Sequence, residues 1–197
     1  MEVLHTKERM QQTILRYRET KTTIGFVPTM GALHEGHLSL VGCSRRRDDV
    51  TVVSIFVNPT QFNQRDDYDK YPRDLKGDLH DLEQAGVDVV FTPTEQEMYP
   101  EADNRKFDFG GLDQVMEGRH RPGHFDGVAR IVTKLFDVVM PHRAYFGEKD
   151  FQQLAIIRHL NRQMNYQIDV VGCPIVRESD GLAKSSRNAR LSPGQHK

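Results

Sequence analysis

The apolar residues of this chain alternate between two spacings, and that alternation constrains the fold more than any other feature. Short runs rich in β-branched and aromatic residues occupy positions 24–27 (IGFV), 50–57 (VTVVSIFV), 87–91 (VDVVF), 144–146 (AYF) and 168–176 (IDVVGCPIV). Between them the apolar positions take helical intervals: Leu75, Leu79 and Leu82, then Val128, Ile131, Val132, Leu135, Val138 and Val139, then Phe151, Leu154, Ala155 and Leu160 with Arg158. Pro141 predicts the end of the second of these helices. Strands separated by stretches long enough for helical crossovers predict a parallel sheet covered on both faces. Near-continuous apolar strands such as VVSIFV fit burial on both sides. The expected fold class is α/β, a Rossmann-like doubly wound parallel sheet, with its ligand crevice at the carboxyl ends of the strands.

Composition narrows the function. With 27 Lys and Arg against 28 Asp and Glu, the net charge is −1, and no excess of positive charge points to a nucleic-acid partner. The two cysteines, Cys43 and Cys173, rule out a disulfide-dense scaffold and read as small buried hydrophobes of a reducing compartment. No apolar run approaches the roughly 20 residues of a membrane span, and the first 20 residues are too charged for a signal peptide. The expected setting is cytoplasmic, with no membrane partner. At 197 residues the chain is long enough for one domain and something small.

Five stretches carry candidate chemistry. Positions 27–41 (VPTMGALHEGHLSLV) pass from a strand into a helix, placing His34 and His37 around Gly36 at the helix start. Helix N-termini present free N–H groups and partial positive charge, and imidazoles there can donate to phosphate oxygens, with Gly36 letting a polyphosphate approach the backbone. A zinc pair, two structural histidines or simple turn glycines remain open on spacing alone. Positions 146–154 (FGEKDFQQL) repeat the strand-to-helix passage. There Lys149 is a point charge for phosphate, Asp150 an acceptor for ribose hydroxyls or merely a cap, and Gln153 lies one turn on. Ser185, Ser186 and Arg187 form a compact set of phosphate donors or a plain polar loop. His124 and Arg121 stand on a Gly/Pro-bounded loop before a long helix. Asn58 and Gln61 follow the second strand run, where uncharged amides suit a small polar substrate. Three of these clusters follow strand ends, so a parallel sheet gathers them along one edge. The basic run at 45–47 (RRR) reads as the end of the helix that starts near Gly36, complementing its dipole.

In these blocks, together with YPR at 71–73, EGRHRPGHFDGVARIVTKLF at 117–136 and GLAKSSRNARLS at 181–192, the sequence closely resembles the pantoate–β-alanine ligase (pantothenate synthetase) family. The match runs from about Ile24 to Ser192, in that family's order and spacing. The resemblance implies the H-x-G-H nucleotidyltransferase superfamily, with a fold akin to class I aminoacyl-tRNA synthetases. It implies two half-reactions: pantoate and Mg2+·ATP give pantoyl-adenylate and pyrophosphate, then β-alanine displaces AMP to give pantothenate.

It further implies that His34, His37, Lys149 and Arg187 are catalytic. His37 matches the family's assigned proton donor, although its residue chemistry favours donating hydrogen bonds to phosphate oxygens. The stretch Met30, Gly31, Ala32, Leu33, His34, Glu35, Gly36 and His37 matches the ATP-contacting positions. So do Gly147, Glu148, Lys149, Asp150 and Val176, and Lys184, Ser185, Ser186 and Arg187. Gln61, Gln153, Asn58, Met30 and His124 match the pantoate-binding positions, and Gln61 also β-alanine. Magnesium would bridge phosphates without a dedicated protein cage. A homodimer is implied. Lys184 stands where many members carry an apolar residue, and is either neutral or a further phosphate contact. Members continue into a small second domain, so residues 1–176 read as the Rossmann-like ATP- and pantoate-binding domain and 177–197 as the start of a truncated lid. Two other readings stand beside the ligase: a nucleotidyltransferase that acts on a phosphorylated acceptor, and a lidless fragment that binds nucleotide without turnover. Asn58, Gln61 and Gln153 favour the ligase, because a phosphorylated acceptor calls for Arg or Lys there.

Overall fold

A computed structural model describes residues 1–188 and 191–192. Six strands, β1 (Glu2–Leu4), β2 (Ile24–Thr29), β3 (Val50–Ile55), β4 (Val89–Phe91), β5 (Arg143–Gly147) and β6 (Asp169–Cys173), form one sheet in the order β1-β4-β3-β2-β5-β6, and every pairing is parallel. Along the chain lie α1 (Lys7–Glu19), α2 (Glu35–Arg45), α3 (Arg65–Asp69), α4 (Leu75–Gln84), α5 (Glu95–Met98), α6 (Met116–His120), α7 (His124–Val139) and α8 (Phe151–Gln163). No helix of the described residues is long and apolar enough to cross a membrane.

The strands alternate their side chains between two cores, which is why they read as unbroken apolar runs. Phe26, Val52, Val89 and Phe146 enter a cluster with Phe125, Val132, Leu135 and Phe136 of α7 and with α8. Val27, Val53, Val90 and Tyr145 enter another with Leu40 and Val41 of α2 and Leu82 of α4. All six apolar positions read on the second helix are buried on α7. Its cap, Met140, turns to φ +43° ahead of Pro141.

Chain order reverses between β2 and β5, so the crevice of a doubly wound sheet belongs between their carboxyl ends. The backbone opens it there. β2 and β5 pair only at Gly25–Arg143 and Phe26–Ala144, whereas β2 and β3 stay paired through Thr29 and Ile55. Ile24 O accepts from His142 N–H at 2.9 Å, so the even-numbered residues of β2 present their backbone groups to β5. Pro28 falls on that side and has no N–H to give. The sequence boundary at Val27 therefore marks the end of one ladder, while the other continues for two residues.

Four other elements differ from the sequence reading. The β1 edge strand and α1 go unread, because a three-residue strand and a charged helix leave little apolar signal. The last strand ends at Cys173, short of the expected 176. On α4, Leu75 is 45% exposed while Asp78 is 5% exposed, so the carboxylate takes the inward place expected of the leucine. The basic run does close α2, with Arg45 as its last residue, and Arg45 and Arg47 pair with Asp88 and Asp169. Cys173 is buried and Cys43 half-buried, both as free thiols.

Candidate active site

The two strand-to-helix passages flank the place where β2 and β5 separate. After β2 the chain turns through Gly31 (φ +76°) and Ala32 (φ +50°) into α2. His34 caps α2, its Nδ1 accepting from Gly36 N–H at 3.1 Å. That bond leaves the ring proton of neutral His34 on Nε2. A Cβ on Gly36 would stand 2.7 Å from His34 Cε1, so the glycine makes room for the capping imidazole while also lining the narrow slot. The His34 and His37 rings lie 4.1 Å apart between centroids. The His37 Nδ1 is buried and has no hydrogen-bond partner among the described residues.

Burial pushes the His37 pKa down to about 3, with His34 and Lys149 adding to the effect. His34 is lowered chiefly by burial, then by Lys149. His124 is lowered by burial against the pull of the Gln61 carbonyl. These imidazoles are therefore neutral at pH 7 and act as hydrogen-bonding groups. Between about 3 and 6.5 the unfolded chain protonates His37 while the folded one does not, so stability falls as pH drops through that window and is level above it. Denaturant midpoints should be lower at pH 5 than at pH 7, and His37→Ala should reduce the difference. An unchanged difference would contradict the buried neutral imidazole.

The cleft has three adjoining recesses. A polar one of about 150 Å3 is lined by His34, His37, Gln61, Lys149, Gln153 and the Ser185–Ser186–Arg187 run, with Met30, Asp150 and His124. A second of about 150 Å3 shares Met30, His37, Gln61 and Gln153 but is walled by Phe56, Val128, Ile131, Val132 and Leu135. A narrow slot of about 80 Å3 runs between His34, Gly36 and Gly147 on one side and Pro174, Ile175, Val176 and Lys184 on the other. A wider hollow of about 580 Å3 adjoins the polar recess at Glu117, Arg121 and Arg187.

The amides divide the work. Asn58 is 1% exposed and wholly committed: its Nδ2 donates to Gln61 Oε1 (3.2 Å) and Gly127 O (3.1 Å), and its Oδ1 accepts from Tyr99 OH at 2.8 Å. It holds Gln61 and lies outside the cleft wall. With its carbonyl so taken, Gln61 presents its Nε2 toward Met30 Sδ (2.9 Å) and the cleft as a donor. His124, the first residue of α7, donates from Nδ1 to Gln61 O at 2.7 Å while also lining the polar recess.

Loop 184–188 folds back over the turn. Ser186 Oγ donates to Ala32 O at 2.9 Å, and Ser185 Oγ accepts from Arg187 N–H at 3.3 Å. Arg187 bonds Asp67 at 2.8 Å and lies over the Tyr71 ring. Lys184 bridges Glu35 (2.6 Å) and Glu178 (2.9 Å), an ion-paired arrangement that ties the loop to α2 while the residue also lines the narrow slot. Glu35, Ala32, Leu33 and Glu148 do not line the recesses. Lys149 Nζ lies 3.1 Å from Asp150. Ala189 and Arg190 of the 181–192 block lie outside the described residues, as do 193–197. Tyr71, Phe62 and Glu117 line the polar recess without having been singled out, Tyr71 lying within the YPR block.

Comparison with known proteins gives one family. The sequence family described as Pantoate-beta-alanine ligase matches residues 2–197. A relative from Bacteroides fragilis, Pantothenate synthetase, is 59% identical over 192 residues, which are 98% of this chain and 68% of that protein. The crystal structure of pantothenate synthetase from Thermus thermophilus superposes with a TM-score of 0.93 at 48% identity, covering 100% of this chain and 70% of that one. Pantoate-beta-alanine ligase from Francisella tularensis, complexed with beta-gamma ATP and beta-alanine, superposes with a TM-score of 0.92 at 38% identity, covering 98% and 74%.

Proposed function

The chain belongs to the pantoate-beta-alanine ligase family, and from that premise we propose that it joins pantoate to β-alanine through a pantoyl-adenylate, releasing pyrophosphate and then AMP. The observation that carries the reading is the pairing of a donor-rich polar recess with an apolar one that shares Gln61 and Gln153 as walls. Pantoate has that division: a carboxylate and two hydroxyls around a gem-dimethyl carbon. The dimethyl group fits against Val128, Ile131 and Leu135, and the Gln61 amide N–H meets a substrate oxygen.

In the first half-reaction a pantoate carboxylate oxygen attacks the α-phosphorus and the bond to the bridging oxygen of pyrophosphate breaks. No proton need move, so the site has only to position and to receive charge. Neutral His34 and His37 supply N–H donors, Lys149 a positive charge, and Ser185, Ser186 and Arg187 further donors over the phosphates. The base and ribose take the slot between Gly147 and Val176, with Asp150 beside it. In the second half-reaction the amine of β-alanine attacks the acyl carbon, loses a proton and expels AMP.

Magnesium accompanies ATP in this reading and supplies charge neutralisation. Mg2+ keeps several waters and favours phosphate oxygens, which would hold it here. Residues 1–176 serve as the nucleotide and pantoate domain, and the segment from 177 begins a cover over it. A cytoplasmic homodimer completes the proposal, checked by a sedimentation mass of twice 22.7 kDa.

Pantoate labelled with 18O in its carboxylate tests the intermediate: one label should appear in AMP, and label-free AMP would overturn it. Gln61→Ala should raise the pantoate KM by about tenfold, the loss of one or two buried hydrogen bonds, with the ATP KM little changed. An unaltered pantoate KM would remove Gln61 from the pantoate site.

A further inference from the structure

The turn that delivers His34 is an improbable backbone. Gly31 and Ala32 both have positive φ, and Ala32 has a Cβ that disfavours that region. A two-residue turn of this kind turns its N–H groups inward, and one side chain collects them. Asp78 accepts Leu33 N–H at 2.7 Å through Oδ1 and Ala32 N–H at 2.9 Å through Oδ2. Its carboxylate, on α4, packs so closely beneath Gly31 that a Cβ there would lie 2.7 Å from Oδ2. From the other side, Ser186 Oγ donates to the carbonyl of the same Ala32. The strained peptide is thus held from below by a buried carboxylate and from above by the loop that carries Ser185 and Arg187.

We infer that Asp78 is a positioning residue for the adenylation step, fixing the 30–33 turn so that the two histidines and the Ser186 loop face one another across the cleft. The inference rests on the ligase reading for its kinetic consequence and on geometry alone for its structural one. An asparagine in that place would keep one carbonyl oxygen and set an NH2 donor where the second oxygen now accepts, so the two N–H groups could no longer each meet an oxygen of their own. Ala32 then loses what holds it at φ +50°, and His34 and Ser186, anchored through it, lose their common reference. Asp78 does not line the three recesses of the cleft but an adjoining hollow of about 260 Å3 behind Met30 and Gly31, and both of its carboxylate oxygens are engaged by the turn's N–H groups. Burial holds its pKa above the usual carboxylate value, against the pull of the Leu33 and Ala32 N–H groups.

Two measurements on Asp78→Asn test this. Amide hydrogen exchange needs no turnover, and exchange at Ala32 and Leu33 should accelerate about tenfold or more while the amide of Leu82, in the core on the same helix, stays protected. Pantoate-dependent pyrophosphate release should lose about 10- to 100-fold in kcat, the scale expected of a small misplacement of reacting groups, with the ATP KM changed less than threefold. Gly31→Ala drives a methyl group against the same carboxylate without removing its charge and should give the same pattern, even if the first variant folds poorly. Unchanged exchange at Ala32 and Leu33 in a folded variant would overturn the positioning. Accelerated exchange with undiminished kcat would overturn its part in adenylation. Wild-type protein run alongside keeps the readings apart, since its failure to release pyrophosphate would count against the ligase reading while exchange still judged the turn.

Discussion

Replacing His37 with alanine should lower pantoate-dependent pyrophosphate release by about 100-fold or more, roughly 2.7 kcal/mol of lost transition-state stabilisation. The neutral imidazole is the reason for expecting a binding role rather than proton transfer. A group whose pKa is pushed down to about 3 by burial holds no acidic proton to give at pH 7. It can still offer an N–H to an oxygen on which charge grows. His37→Asn, which retains an N–H donor, should therefore recover part of the loss, whereas a proton-donor role predicts that asparagine is as poor as alanine. ATP affinity should be similar in wild type and both variants, because the interaction tightens only as pyrophosphate departs. A large loss of ATP affinity with unchanged kcat would place His37 in ground-state binding instead.

The second large effect is expected from a residue with no chemistry of its own. Gly127 lies in the first turn of α7, where Ala would ordinarily be favoured by about 1 kcal/mol. Here a Cβ would overlap the carbonyl of Thr60 and stand 2.6 Å from Gln61 Cα. Both neighbours are backbone, which cannot rotate away, so α7 or the Pro59–Gln61 turn must move. Gly127 O is also an acceptor for Asn58, and His124 in the same helix turn holds Gln61 O. Gly127→Ala should therefore destabilise the fold by about 3 kcal/mol, at the upper end for overpacking, and raise the pantoate KM by at least tenfold in whatever remains folded. Thermal unfolding and pantoate titration read the two effects separately. A gain in stability would show that helix and turn are not in contact as described.

Much of this was legible in the chain. The alternation of strand and helix periods gives the parallel sheet, and the strand-end positions of His34, Lys149 and Gln61 gather them at one crevice. Periodicity says less about which of two hydrophilic residues faces inward. Asp78 stands four residues before Leu82 on a helix whose apolar positions already include Leu79, and an acid on that stripe was the available signal for a buried carboxylate. Asn58 illustrates the converse. An amide past a strand end has the chemistry of a ligand, but its polar contacts lie within the protein, and only three-dimensional pairing reveals that it supports Gln61. Gly36 likewise serves the His34 ring, a contact between residues two apart that depends on the cap geometry of α2. Lys184 depends on Glu178 and Glu35, brought together only when the last segment folds back.

The central claim is that this chain activates pantoate by adenylation at the β2–β5 crevice. The direct measurement is pyrophosphate release from ATP with pantoate present and β-alanine omitted, followed by AMP and pantothenate on adding β-alanine. A burst of pyrophosphate that requires pantoate, with AMP release accelerated by the amine, is the expected result. Pyrophosphate release indifferent to pantoate, or none at all from protein that binds ATP, would contradict it.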